Sequence, residues 1–158
     1  MTDLHLGAKA PDLTFSTVSK STKPVVALEG SAFVLFFYPK AGTSGCTAEV
    51  VAFSERHADF AAMGIAVLGV SPDSPAKLER FRDKHGVVVA LVSDEELRIA
   101  QGWGVWVEKS MYGRRYMGVE RATFLVDAKG NVAEIWRKVK VNGHVDAVLE
   151  TARRVIGG

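Results

Sequence analysis

At 158 residues, 47% of them hydrophobic and 24% charged, the chain is long enough for one domain with a true core and too apolar to stay disordered. Twenty Lys and Arg against eighteen Asp and Glu leave a net charge of +2, and no basic stripe interleaved with aromatics points to nucleic acid. A single cysteine excludes an intrachain disulfide, a Cys-x-x-Cys pair and a thiolate-rich zinc site.

No basic, apolar and small-residue leader opens the sequence. The longest apolar runs, residues 32–38 and 65–70, fall far short of the ~20 residues of a membrane span. With one unpaired thiol, these features point to the cytoplasm. No repeat or linker divides the chain, so one domain is expected over residues 1–158.

Residues 12–18 and 25–28 read as short strands, and residues 32–38 as a strand covered on both faces. Val50, Phe53, His57 and Phe60 then take helical spacing, which predicts a helix from about Cys46 to Gly64. Residues 65–70 form the next buried strand. Ser74 and Pro75 supply a cap and a first-turn proline to a helix ending before Gly86. Residues 87–92 read as a strand, and Ser93 with Glu96 as a capping box for a short helix through Ala100. Residues 102–120 read as a long loop holding Trp103, Trp106, Tyr112 and Tyr116. Residues 122–127 and 131–139 form a hairpin, and a last helix starts near Gly143. This order predicts an α/β fold of thioredoxin-like type, a central mixed β-sheet flanked by helices on both faces.

Cys46 falls where a buried strand ends, a glycine-containing turn follows and a helix begins. A thiol in a first helical turn feels unpaired N–H groups and the positive end of the dipole. Both favour the thiolate, which is the nucleophile. Taken alone, a lone cysteine is just as well a small buried hydrophobe. His5, His57, His85 and His144 lack ligand spacing, so neither a metal nor another cofactor is expected.

The flanking residues carry more. Phe37-Tyr38-Pro39-Lys40-Ala41-Gly42-Thr43-Ser44-Gly45-Cys46-Thr47-Ala48-Glu49 resembles the peroxiredoxin active-site motif Pro-x-x-x-Thr-x-x-Cys. The form with Tyr-Pro-Lys before and Gly-Cys-Thr-x-Glu after is similar to the peroxiredoxin Q, or bacterioferritin comigratory protein, subfamily. Trp106-Val-Glu-Lys-Ser-Met-Tyr-Gly-Arg-Arg-Tyr-Met-Gly-Val-Glu-Arg-Ala-Thr-Phe-Leu-Val-Asp127 resembles a second hallmark of that subfamily.

The resemblance implies a thioredoxin fold with a peroxiredoxin N-terminal extension, reducing hydrogen peroxide and organic hydroperoxides. It implies Cys46 as the peroxidatic cysteine, Thr43 as the hydroxyl that engages peroxide and Arg121 as the cation beside the sulfur. Pro39 is the implied shield of the thiolate, Gly45 belongs to the same motif, and Glu49 is placed to orient an arginine. Thr43 or Ser44 also reads as a plain helix cap, and Arg121 beside Glu120 as a surface ion pair.

Three features depart from the subfamily. Val51 stands where many members carry a resolving cysteine, Leu78–His85, where others place it, holds none, and Ser44 stands where a proline is usual. With one thiol, the sulfenic acid on Cys46 has to be reduced by an external thiol: thioredoxin, glutaredoxin or glutathione. The second reading is a peroxide-sensing switch with little turnover. A monomer is expected, with a dimer as the other state.

Overall fold

The computed structural model describes residues 4–18 and 25–156, so the extreme ends of the expected 1–158 unit lie outside the described residues. The elements are β1 (Thr14–Ser16), β2 (Val25–Ala27), β3 (Phe33–Phe37), α1 (Ser44–Glu55), α2 (His57–Ala62), β4 (Ala66–Ser71), α3 (Pro75–His85), β5 (Ala90–Ser93) and α4 (Arg98–Gly102). After them come β6 (Trp106–Met111), β7 (Arg114–Val119), β8 (Ala122–Val126), β9 (Val132–Trp136) and α5 (His144–Val155).

The main sheet has the order β5-β4-β3-β8-β9. Strands β3, β4 and β5 run parallel, while β8 and β9 are antiparallel to their neighbours. All five residues of β3 are buried, as a continuous apolar run at the sheet centre requires. Their alternation divides the core. Val34, Phe36 and Tyr38 join α1, α3 and α5 on one face, through Val50, Phe53, Leu78 and Val148. Phe33, Leu35 and Phe37 join Phe15, Ile99 and Trp103 on the other, beneath β1 and α4. The mixed sheet with helices on both faces is thus as expected. Ahead of it, β1 pairs with β2, and Gly7 and Ala10 donate to the Val132 and Gly130 carbonyls at 2.8 Å each.

Several boundaries differ from the sequence reading. The helix expected to begin near Cys46 starts at Ser44 and breaks at Arg56, yet Phe53 and Phe60 stay buried across the break. The spacing alone therefore does not register the break. Strand β5 begins only at Ala90, and Val88 before it is exposed. Ser93 does not cap α4. Asp94 does, accepting from Ile99 N–H at 3.1 Å and Ala100 N–H at 2.9 Å, while Ser93 Oγ donates to Asp73 O. Residues 102–120 are not a loop. Most of the segment is the β6–β7 hairpin, closed by Tyr112 (φ 52) and Gly113 (φ 78). Positive φ at both central residues is the geometry that matches strand twist, but Tyr-Gly is a weaker signal for it than Asn-Gly.

Gly69 in β4 faces Phe36, and a Cβ there would lie 2.6 Å from Phe36 Cζ. Phe36 in turn stacks on Phe53 of α1, centroids 4.3 Å apart. Gly69→Ala therefore pushes an aromatic stack toward the helix that carries Cys46, and is expected to cost about 1–3 kcal/mol in denaturant unfolding. An unchanged unfolding midpoint would show that the stack can shift freely.

Candidate active site

Beyond β3 the chain turns through residues 38–42 and enters α1. Gly42 has φ +88, a conformation that L side chains rarely adopt. The turn is clamped to the end of β4: Tyr38 N–H donates to Val70 O at 3.0 Å, and Ala41 N–H to Asp73 Oδ2 at 2.7 Å. Pro39 is half-buried within it.

Cys46 lies in the first turn of α1 and is 1% exposed. Thr43 holds the N-cap position with φ −78 and ψ 154, but its side chain makes no capping bond. Its Oγ1 instead donates to Lys40 O at 2.8 Å. The first turn contains no acidic residue. Its N–H groups thus keep their partial positive charge.

Arg121 stands between β7 and β8, and its guanidinium makes two contacts. Nη2 donates to Cys46 Sγ at 3.2 Å, and Nη1 to Glu49 Oε1 at 2.7 Å. Cys46 and Glu49 lie three apart on one helix face, so a single planar fork reaches both. A Cβ on Gly45 would meet Arg121 Nη2 at 3.4 Å, about van der Waals contact. Arg121 is not half of a surface pair with Glu120. Neighbours on an extended chain point opposite ways, and Glu120 turns to Arg137, at 2.7 Å to Nε and 2.9 Å to Nη2.

Glu49 is fully buried, and burial raises its carboxyl to about 7, against the pull of the Arg121 hydrogen bond and charge. Among the described residues its Oε2 has no hydrogen-bond partner. Burial opposes the charge on Arg121, but Glu49 and Cys46 outweigh it and hold the guanidinium protonated. Burial and then the charge of Arg121 lower His144 to about 4, so it is neutral at pH 7; its Nε2 lies 2.8 Å from Thr123 Oγ1.

The AhpC/TSA family matches residues 6–135. Peroxiredoxin Bcp of Bacillus subtilis is 41% identical over 150 residues, covering 95% of this chain and 96% of its own. The chain belongs to the AhpC/TSA family. Peroxiredoxin Bcp of Xanthomonas campestris is 42% identical over 151 residues, covering 94% of each chain. A solved structure of Xanthomonas campestris peroxiredoxin Q superposes with a TM-score of 0.84 at 40% identity, over 97% of this chain and 99% of that one. Another, of the same organism's bacterioferritin comigratory protein, has a TM-score of 0.83 at 39% identity over 96% of both, and alkyl peroxide reduction is described for that protein. These relatives are peroxiredoxins, and this AhpC/TSA member is likewise a thiol peroxidase, with one cysteine to do the chemistry.

Of the site residues expected in this peroxiredoxin, Cys46, Glu49 and Arg121 meet in direct contact, and Gly45 precedes Cys46 in the same helical turn. Thr43 stands at the cap of the helix that carries Cys46, and Pro39 in the turn before it. Sequence reasoning missed Lys109 on β6. Burial and then the nearby Arg121 lower its ammonium, while Cys46 and Glu120 oppose the shift. Reading 102–120 as a loop hid it, because the run Trp106-Val107-Glu108-Lys109-Ser110-Met111 carries no apolar-polar alternation. The neutral His144–Thr123 pair carries no spacing signal, because β8 and α5 bring it together from distant positions.

Proposed function

We propose that Cys46 is the peroxidatic nucleophile of a one-cysteine hydroperoxide reductase. The observation that carries this reading is the Arg121 fork, anchored on buried Glu49 and donating to Cys46 Sγ at 3.2 Å. The thiolate attacks the terminal oxygen of ROOH, an S–O bond forms and the O–O bond breaks. RO⁻ leaves and takes a proton to become ROH, leaving Cys46 as sulfenic acid. Negative charge grows on the departing oxygen, and preorganised donors aimed at such charge supply much of catalysis. The Thr43 hydroxyl has its hydrogen on Lys40 O, which leaves its lone pairs to accept from the peroxide O–H. Hydrogen peroxide and alkyl hydroperoxides both fit a site that contacts only the reacting end.

The reducing half follows from the single thiol. Two external thiols, from thioredoxin, glutaredoxin or glutathione, become a disulfide, and the sulfenic oxygen leaves as water. All three residues of the Cys46–Glu49–Arg121 group belong to one chain, which supports action as a monomer. Dependence on reduced thiols supports the cytoplasm as the compartment. Among the described residues, no helix is long and apolar enough to cross a membrane.

Rapid mixing with hydrogen peroxide and with cumene hydroperoxide tests the proposal. Cys46 is expected to oxidise at least about a thousandfold faster than free cysteine, with sulfenic acid seen by intact mass. Rates equal to free cysteine would end it. A single equivalent consumed, with no further turnover under any of the three thiols, would favour the sensor instead.

A further inference from the structure

Beside the Cys46 turn lies a cleft of about 470 Å³. One wall is the turn and the start of α1, through Ala41, Gly42 and Thr47. The other is α3, through Lys77, Arg80, Phe81 and Lys84. These four fall three and four apart and share one helix face, while Glu79 and Asp83 fall outside it. Asp73 ties the walls together, its Oδ1 meeting Lys77 Nζ at 2.9 Å and its Oδ2 accepting from Ala41 N–H at 2.7 Å. Lys77 is thereby neutralised. Arg80 and Lys84 are exposed, and among the described residues neither forms an ion pair. Between them Phe81 lies under the His85 ring, centroids 5.0 Å apart, which gives the cleft an apolar floor.

Two cations that form no ion pair among the described residues suit a ligand with two carboxylates. The site has need of an external thiol, because the chain holds a single cysteine and its oxidised sulfur is reduced from outside. Thr47 in the cleft wall directly follows Cys46. We propose that this cleft binds the carboxylates of a small anionic thiol of the glutathione class and presents its sulfur to oxidised Cys46. This rests on the peroxidase reading above. The bound thiolate attacks Cys46 Sγ, an S–S bond forms, and the S–O bond breaks as hydroxide leaves and is protonated to water. A second thiolate of the same class then attacks the mixed disulfide, releasing the Cys46 thiolate and the small-molecule disulfide.

Binding is tested first, without any redox step. In an NMR titration of the reduced protein with S-methylglutathione, the amides of Gly42, Thr47, Arg80 and Lys84 are expected to shift together in a saturable way. The double variant Arg80→Glu/Lys84→Glu is expected to bind at least about tenfold more weakly. No saturable shift at these amides overturns the proposal even if peroxide oxidises Cys46 fast. Failure of peroxide oxidation, by contrast, strikes the peroxidase reading. The second arm forms the sulfenic acid with one equivalent of peroxide and measures its reduction by glutathione and by uncharged 2-mercaptoethanol. The ratio of the two rates is expected to fall about tenfold in the double variant. An unchanged ratio overturns the proposal, as does a loss confined to reduction by thioredoxin, which would assign the cleft to a protein partner.

Discussion

Arg121→Lys is expected to slow oxidation of Cys46 by hydrogen peroxide by about two to three orders of magnitude, the usual cost of removing one donor aimed at developing charge. The reason is the shape of the group. The guanidinium reaches Glu49 with Nη1 and Cys46 with Nη2, and both contacts lie in one rigid plane. An ammonium can hold one of the two, and buried Glu49, the better-bound anion, takes it. Arg121→Ala is expected to lose at least as much. In that variant Glu49 has no cation, but a buried carboxyl whose pKa is already raised to about 7 remains protonated rather than forcing the core apart. Folding is therefore expected to suffer far less than catalysis. Stopped-flow oxidation beside a urea unfolding curve separates the two. A lysine variant with native rate would mean that charge alone suffices and that the fork has no role.

What could be read beforehand follows a physical line. The central strand was legible because burial on both faces removes polar residues, so 32–38 stands out as an unbroken apolar run. The start of α1 was legible from its turn glycine and from the period that follows. The hairpin β6–β7 was not. Only its base, through Trp106 and Val119, meets the core, and exposed Met111, Tyr112, Tyr116 and Met117 blur the alternation that a half-buried strand normally shows. The cap of α4 was misassigned for a local reason. Leu97 takes φ 63, so the helix starts later and Asp94, not Ser93, reaches its free N–H groups.

The site divides the same way. Cys46 and Glu49 are near in sequence, so helical spacing joins them. Arg121 is near them only because β8 pairs antiparallel with β3, Phe37 opposite Ala122, which brings the residue before β8 beside the turn leading into α1. No local pattern carries that pairing; the motif around Arg121 carried it by resemblance. Glu120 shows the limit of adjacency. Burial would raise its carboxyl, but Arg137 and the Lys138 N–H hold it below the ordinary range, and its neighbour is left free for the sulfur.

Glu49→Gln is the second substitution with a large expected effect, and pH exposes it. Ionised Glu49 grips Arg121 through a charge-assisted bond, whereas protonated Glu49 holds it by a weaker neutral one. The carboxyl titrates near 7, so the rate of Cys46 oxidation is expected to rise as pH passes upward through that value. In the glutamine variant the amide oxygen still accepts from Nη1 but cannot ionise. Its rate is expected to be about tenfold lower at pH 8 and to lack the step near 7. Stability moves the opposite way. The folded pKa is raised above the unfolded value of ~4.3, so the folded state binds the proton more tightly. Glu49 therefore contributes full stability below about pH 4 and loses it as pH rises toward 7, on the order of 3 kcal/mol. The glutamine variant is expected to gain on wild type across that window in unfolding curves taken at successive pH values. A variant that keeps the step near 7 would assign that ionisation to another group and remove Glu49 from control of Arg121.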